Sequence, residues 1–254
     1  MAFRVIAAAG FVYLMLPILM MFPLSLEQGS LLRFPPSSIS LRWYSEYFSG
    51  REWMASTLLS FKVAVGAAGI ATLVGTLAAV GLARASEAVR NVCSLILLSP
   101  ILLPTVVVAI AIYGVYASLR LVGSPFGLIL AHAVLTTPFV ILNVSAAVAA
   151  LPRALEEAAM SLGAGPAATL AQVTIPLIWR GIAAGAVFAF LVSFDEVVIA
   201  MFLSGTQAVT LPKRMLDGIF YEMTPILAAI SVMLVLMNVA LAVLGLVLAR
   251  PRRP

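Results

Sequence analysis

The sequence predicts an all-α membrane protein, a bundle of about six transmembrane helices that forms one domain over residues 1–254. Of its 254 residues, 63% are hydrophobic and 10% are charged, and the mean hydropathy is +1.14. Soluble domains are only about half apolar. The apolar runs reach the roughly 20 residues that a helix needs to cross a ~30 Å hydrocarbon core. They also lack the alternation of barrel strands, which favours helices.

Six spans follow in chain order, at about 4–24, 55–82, 92–117, 126–150, 180–203 and 225–249. The first run is long, contains two prolines and has no clear cleavage site after it, so we expect a retained span rather than a signal peptide. The third span carries Pro100 and Pro104 and the fourth carries Pro138. Each proline removes a backbone donor, which predicts kinked helices in these two spans.

An even number of spans places both termini on one side of the membrane. If that side is the cytoplasm, eight arginines are predicted inside: Arg4, Arg84, Arg90, Arg153, Arg180, Arg250, Arg252 and Arg253. Six basic residues are then outside: Arg33, Arg42, Arg51, Arg120, Lys213 and Arg214. The positive-inside rule therefore weakly favours cytoplasmic termini. Because the net charge of +5 is spread over loops and span ends, it favours membrane orientation over nucleic-acid binding.

Isolated reactive residues give little support for a metal or catalytic site. The single Cys93 and the single His132 have no neighbouring ligands in the sequence, and a hydrogen bond between helices is the preferred role for His132. The two lysines, Lys62 and Lys213, do not belong to the Gly-Lys-Ser/Thr motif of a phosphate-binding loop. We therefore expect no metal and no cofactor bound by this chain.

One charged, glycine-broken segment interrupts the apolar spans. Its anchors are Glu156, Glu157, Ala158, Ala159, Gly163, Ala164, Val173, Ile175 and Pro176. The spacing is similar to the cytoplasmic signature loop of ABC importer permeases, in which Glu-Ala-Ala is followed by a glycine and then by an apolar-Pro element. The resemblance implies a type I importer permease fold, with residues 151–179 forming a coupling loop that docks on an ATPase subunit.

Local chemistry predicts a helix–turn–helix in this loop. Carboxylates in the first turns suit the helix dipole, Gly163 suits a left-handed C-terminal cap, and Pro166 suits the first turn of a second helix. The small Ala158 and Ala159 would let the element seat closely in a partner's groove, where Glu156 and Glu157 would meet basic groups. A plain amphipathic connector would explain the helix but not the spacing as far as Pro176.

Two adjacent carboxylates, Asp195 and Glu196, follow Ser193 within the predicted fifth span. Because carboxylates are costly in hydrocarbon, they normally face a cavity or an opposite charge. The three residues are candidates for the substrate path. An ion pair of the carboxylates with Lys213 or Arg214, or a hydrogen bond between helices, is an equal alternative.

The stretch 193–225, together with Phe34-Pro35-Pro36 in the first outer segment, resembles the second permease of spermidine/putrescine-type importers. The resemblance implies a multi-pass subunit of the bacterial cytoplasmic membrane. Its partners would be a second, distinct permease, two ATPase subunits that bind ATP and Mg, and an external solute-binding protein. The implied solute is a polyamine.

Other functions remain open at this point. The same machinery could import an opine, an amino-acid-like amine or a phosphonate. An ion-coupled secondary transporter would show inverted repeats, which we do not detect. A membrane-embedded enzyme would need a catalytic constellation, which is not apparent. The outer aromatic residues Trp43, Tyr44, Tyr47, Phe48 and Trp53 suit an interfacial belt or a docking surface for an external protein.

Overall fold

A computed structural model describes residues 2–206 and 208–249. These residues form twelve α-helices: α1 (Ala2–Leu24), α2 (Arg42–Ser49), α3 (Arg51–Arg84), α4 (Glu87–Leu102), α5 (Thr105–Leu119), α6 (Pro125–Ala149), α7 (Arg153–Ser161), α8 (Pro166–Thr169), α9 (Ile175–Phe194), α10 (Val198–Leu203), α11 (Leu211–Tyr221) and α12 (Ile226–Ala249). A π-helical segment, Leu170–Thr174, joins α8 to α9. The predicted all-α fold is confirmed.

Within the described residues, four helical stretches are long and apolar enough to cross a membrane: Arg51–Arg84, Pro125–Ala149, Pro166–Phe194 and Ile226–Gly245. The helices α4 and α5 pass the same test only as a pair, which is bent by 104°. A shorter apolar helical stretch, Ala9–Leu24, lies in α1. When this stretch and the bent pair are each counted once, the helices correspond to the six predicted spans.

The third span is broken rather than kinked, so the prediction of one helix over 92–117 is wrong. The break lies at Leu103, whose φ of −92° and ψ of 144° are extended. Pro104 disfavours the helical conformation for the residue before it, which explains why the helix ends there. Pro100 lies inside α4 and Pro138 inside α6, and neither ends its helix.

The fifth span also differs from the predicted 180–203. Its helix begins earlier, because α8 continues through the π-helical segment into α9 without a break. It also ends earlier, at Phe194, and the separate α10 starts at Val198. Asp195 and Glu196 lie in this break, and the apolar residues on both sides of it are why the sequence predicts one continuous span.

Contacts group the chain into two units. The first contains residues 1–58 and 211–239, and the second contains 59–210 and 240–254. The prediction of a single domain over 1–254 stays a prediction.

The core of the second unit is built where α3, α6 and α9 pack together. Val140 of α6 is fully buried in a cluster with Ala71 of α3 and Ala189 of α9. A Cβ atom added to Gly75 would lie 2.8 Å from the Cβ atom of Val140, so only glycine permits this approach. The helices α3 and α6 therefore approach each other closely at Gly75.

The first unit contains a polar segment organised around Glu27. The buried Glu27 carboxylate accepts hydrogen bonds from the backbone N–H of Gly29 (2.9 Å), the backbone N–H of Ser37 (2.7 Å) and the Ser37 hydroxyl. Its carbonyl oxygen accepts a bond from the Trp43 indole N–H at 2.7 Å. The donors to the carboxylate, the Ser37 hydroxyl first and then the N–H groups of Gly29 and Ser37, lower the pKa of Glu27 from its ordinary 4.5 to about 2. The segment between α1 and α2 is thus ordered by one ionised carboxylate.

The outer aromatic residues divide between core and surface. Trp43 and Tyr47 are buried, and the Tyr47 hydroxyl hydrogen-bonds the Thr57 hydroxyl at 2.7 Å. Phe48 is 61% exposed. The interpretation as an interfacial belt is therefore wrong for Trp43 and Tyr47, which form the core of this part of the first unit.

Candidate functional site

The first arm of the predicted coupling loop is the helix α7, which begins after Pro152 and ends in a Schellman motif. The N–H of Ala164 donates to the carbonyl of Ala159 at 3.1 Å, and the N–H of Gly163 donates to the carbonyl of Met160 at 3.0 Å. Gly163 has a φ of +93°, the left-handed conformation that this motif requires. The predicted role of Gly163 as a C-terminal cap is confirmed.

The second arm starts as predicted and ends differently. Pro166 occupies the first turn of α8, but α8 does not form a separate helix, because it runs on through the π-helical segment into α9. In that segment the N–H of Ile175 donates to the carbonyl of Leu170, five residues earlier. Pro176 has no N–H and its ring would clash with the carbonyl of Gln172 in a regular α-helix, so the wider turn lies where it relieves the proline.

The two arms are joined to the end of α3 by a polar network that the sequence did not predict. The Arg84 guanidinium, at the last residue of α3, forms an ion pair with the Glu156 carboxylate at 2.8 Å. The Thr174 hydroxyl donates to the same Glu156 oxygen, and the Arg84 guanidinium lies 3.4 Å from the Thr174 hydroxyl oxygen. Three segments that are distant in sequence therefore meet at one carboxylate.

Electrostatics keeps this carboxylate ionised. The hydrogen bond from Thr174, followed by the hydrogen bond and charge of Arg84 and the charge of Arg153, lowers the pKa of Glu156 below its ordinary 4.5. Only 18% of the Glu156 side chain is exposed, whereas its neighbour Glu157 is exposed and has no ion pair with a described residue. Of the two glutamates, Glu157 is therefore the one available to another protein.

The exposed surface of the loop is apolar as well as acidic. Leu155, Ala158, Ala159 and Leu162 are spaced so that they lie along one stripe of a helix. Leu155 is 45% exposed and Leu162 is 89% exposed, while Ala158 is exposed and Ala159 is half-buried. The two leucines were not among the residues predicted from the sequence, although their spacing from the two alanines indicates the stripe.

The remaining signature residues lie in the second arm. Val173 is half-buried in the π-helical segment, and Pro176 is exposed at the second position of α9. Ala164 is half-buried beside the Schellman motif. The structure thus places Pro176 at the start of the long helix and Gly163 at the turn, so the signature covers both arms of the loop.

The candidate path residues lie at the end of α9, and the structure separates them. Ser193 is buried, and its hydroxyl lies 2.9 Å from Nδ1 of the buried His132 in α6. The predicted hydrogen bond of His132 between helices is confirmed. Because the Ser193 side chain is occupied in this contact, its assignment to the substrate path is not supported.

Glu196 stabilises the helix break. Its carboxylate accepts hydrogen bonds from the N–H groups of Val198 (2.7 Å) and Ile199 (3.0 Å), which are the first two residues of α10. These N–H groups have no partner within their own helix. The structural alternative is therefore favoured for Glu196, although the bond is to the backbone rather than to another side chain.

Asp195 occupies the C-terminal cap position of α9, where its N–H donates to the carbonyl of Leu191 at 3.1 Å. The residue is exposed. Its ion pair with an outer basic residue stays a prediction. Asp195 is the path candidate that the geometry retains. Among the described residues, no three His, Cys, Asp or Glu side chains come together as a metal site.

Comparison with known proteins gives a family match over most of the chain. Residues 71–253 match the family described as "Binding-protein-dependent transport system inner membrane component". The chain is 32% identical over 237 residues to the putrescine transport system permease protein PotI of Escherichia coli (strain K12), covering 91% of this chain and 84% of that protein. It is 26% identical over 246 residues to the spermidine/putrescine transport system permease protein PotC of Haemophilus influenzae, covering 94% and 93%.

Solved structures share the fold at low sequence identity. A bacterial ABC transporter involved in the import of the acidic polysaccharide alginate matches with a TM-score of 0.68 at 14% identity, covering 96% of this chain and 92% of that chain. An amino acid ABC transporter matches with a TM-score of 0.59 at 20% identity, covering 82% and 94%. The chain therefore has the fold of ABC transporter permeases.

The network predicts that the adjacent glutamates Glu156 and Glu157 respond differently to neutralisation. In Glu156→Gln, the loss of the ion pair should speed hydrogen exchange of the α7 amides about fivefold, because a partly exposed charged contact contributes about 1 kcal/mol. The matched control Glu157→Gln should leave exchange unchanged. Hydrogen-exchange mass spectrometry of the purified protein in nanodiscs measures both.

Acid should reproduce the effect in the unsubstituted protein. Because the pKa of Glu156 is lowered in the folded state, the protection that the carboxylate provides is complete above pH 4.5 and is lost as the pH falls below that value. Glu156→Gln should show no such loss once exchange is corrected for its intrinsic pH dependence. Equal acceleration in the Glu157→Gln control would contradict the network.

Proposed function

The chain belongs to the family of binding-protein-dependent transport system inner membrane components, and we propose that it is the permease subunit of an ATP-driven importer of a polyamine such as putrescine or spermidine. The observation that carries the proposal is the similarity to PotI and PotC, which extends over more than nine-tenths of this chain. The fold alone does not choose a solute, since the permease fold is also found in a transporter of an acidic polysaccharide.

In this proposal the chain pairs with a second, distinct permease and two ATPase subunits, and an external binding protein delivers the solute. ATP and Mg bind to the ATPase subunits, and this chain binds no cofactor. Both termini lie in the cytoplasm of a bacterial cell, and the multi-pass chain spans its cytoplasmic membrane. The positive-inside distribution supports this orientation. Of the inside arginines, Arg250, Arg252 and Arg253 lie outside the described residues.

The loop supplies the contact with the ATPase. Its exposed stripe, with Leu155 and Leu162 beside the small Ala158 and Ala159, offers an apolar surface to a groove, and Glu157 offers a charge for a basic group. An apolar centre next to one charged group is a common composition for a protein interface. Glu156 does not belong to this surface, but its ion pair with Arg84 holds α7 at the end of α3.

A continuous helix and an ion pair connect the loop to the rest of the permease, so that movement of the loop can act on it. The second arm is helical without a break from Pro166 to Phe194, and α9 alone spans about 30 Å at 1.5 Å per residue. The first arm is tied to the end of α3 by Arg84. A displacement of the loop by ATP-driven closure of the ATPase pair would move α3 and α9 together. ATP supplies the energy because it binds the two states of the complex with different affinity.

The break at the C-terminal end of α9 is where we place the contact with a cation. An exposed carboxylate at Asp195 attracts an ammonium group more strongly where the local dielectric is low. A carboxylate within a membrane-spanning stretch is costly unless it faces a cavity or a charge, so a functional role is the default expectation for it. Asp195 is therefore the residue that we assign to transient contact with the polyamine.

Coupling is tested at two glycines of the same loop. Gly163→Val places a β-branched residue at a φ of +93°, a conformation that costs an L-residue about 1–2 kcal/mol, so co-purification of the ATPase and putrescine uptake should fall roughly tenfold. The matched control is Gly165→Val, because Gly165 has a φ of −71° and open space around its Cβ position. The control should retain both activities.

Charge reversal at Glu157 provides a second test of coupling. Glu157→Lys should weaken ATPase co-purification and uptake as Gly163→Val does. Normal ATPase retention and transport in both Gly163→Val and Glu157→Lys would contradict the docking role of the loop. Equal losses in Gly163→Val and Gly165→Val would show that the left-handed turn is not the cause.

The solute assignment is tested at the helix break. Asp195→Asn conserves side-chain volume but removes the charge, so putrescine uptake should slow roughly tenfold while the complex still assembles. Glu196→Gln should instead lower thermal stability, because its carboxylate caps α10. Radiolabelled uptake in cells and pull-down of the partner subunits measure the two effects. Normal uptake by Asp195→Asn would remove this residue from the path, and loss of assembly would assign it a structural role.

A further inference from the structure

A cavity of about 960 Å³ lies in the second unit, beside the loop. Its walls come from the end of α3, the first three turns of α4, the second half of α6, and α7 with α8. The Arg84–Glu156 ion pair forms part of the wall. The cavity therefore adjoins the contact that anchors the coupling loop.

The charged part of the cavity has more cations than anions. Three arginines, Arg84, Arg90 and Arg153, and two glutamates, Glu156 and Glu157, line it. Arg84 is paired with Glu156, but neither the Arg90 guanidinium nor the Arg153 guanidinium forms a hydrogen bond or an ion pair with a described residue. Arg153 acts on Glu156 only through its charge. Two guanidinium groups are therefore available to an anion.

The rest of the cavity lies further along the same helices and is lined mostly by apolar residues, together with Ser94 and Ser145. On α4, Arg90 is followed by Ser94 and Leu98, all of which line the cavity. Arg90 and Leu98 are separated by eight residues, or about 12 Å of helix. Ile141 and Leu142 of α6 line the same cavity. One cavity thus combines a basic region with an apolar wall more than two helical turns long.

This combination selects an amphiphilic anion. A polyamine would be repelled by the arginines, so under the proposed function the cavity is separate from the solute path. A free phosphate or other small anion would leave the apolar wall without a partner. A phospholipid carries a phosphate and acyl chains on one molecule, and basic pockets between helices on the cytoplasmic side are suited to anionic head groups.

We propose that the cavity binds an anionic phospholipid of the cytoplasmic leaflet, with its phosphate at Arg90 and Arg153 and an acyl chain along Leu98 and Leu142. The proposal rests on the orientation given under the proposed function. Because the lipid phosphate would lie beside the Arg84–Glu156 ion pair, lipid binding would act on the same wall that holds the coupling loop. Transport would then be faster in membranes that contain anionic lipid.

Binding is measured on the purified importer complex in detergent, by titration with phosphatidylglycerol and, separately, with phosphatidylcholine. The double variant Arg90→Gln/Arg153→Gln should bind phosphatidylglycerol about thirtyfold more weakly, the loss expected for two cations near an anionic membrane surface. Arg90→Lys/Arg153→Lys retains the charges and should retain binding. The control double variant Arg4→Gln/Arg33→Gln has the same change in charge at residues that do not line the cavity, and it should bind normally.

The outcomes separate this proposal from its alternatives. Equal binding of phosphatidylcholine and phosphatidylglycerol, or unchanged binding in the Gln double variant, would overturn it. Displacement of phosphatidylglycerol by inorganic phosphate alone would assign the cavity to a soluble anion and would also overturn it. Because binding is measured without transport, an importer that fails to take up polyamine would still give a clear result here.

Discussion

The ion pair between Arg84 and Glu156 determines how the loop can act on the permease. Without it, α7 would still be bonded to the π-helical segment through Thr174, but it would have no ion pair with the end of α3. With it, the first arm of the loop is fixed to the end of α3, and Thr174 brings the start of the α9 helix to the same carboxylate. A single carboxylate therefore unites the loop with two of the three helices that form the core around Val140.

A second constraint explains the helix breaks. Backbone N–H and C=O groups freed inside a membrane-spanning stretch need partners within the protein, because hydrocarbon offers none. At Asp195–Val197 the Glu196 carboxylate supplies that partner to the start of α10, and at Leu103 the N–H still donates to the carbonyl of Ser99. The breaks are thus stabilised locally. Asp195 is exposed at the break between α9 and α10.

Much of this arrangement follows from the sequence where the signal is local. Gly163 and Pro166 specify their turns by their own backbone preferences, and the predicted cap and helix start are confirmed. The role of Glu156 could not be predicted, because its partner Arg84 is 72 residues away and an adjacent glutamate has the same local pattern. The break after Phe194 was not predicted for a different reason. In the sequence, Glu196 reads as a charge inside a continuous span. In the structure its carboxylate accepts hydrogen bonds from the first N–H groups of α10, which have no acceptor within their own helix.

The most direct test of the central claim is a charge exchange between Arg84 and Glu156. Arg84→Glu and Glu156→Arg each place like charges together and should reduce uptake and ATPase stimulation strongly. The double exchange restores an opposite pair and should recover a large part of both, with a coupling free energy of about 1–3 kcal/mol in a double-mutant cycle. Losses in the double variant equal to the sum of the two single losses would contradict the account, since the two residues would then act independently.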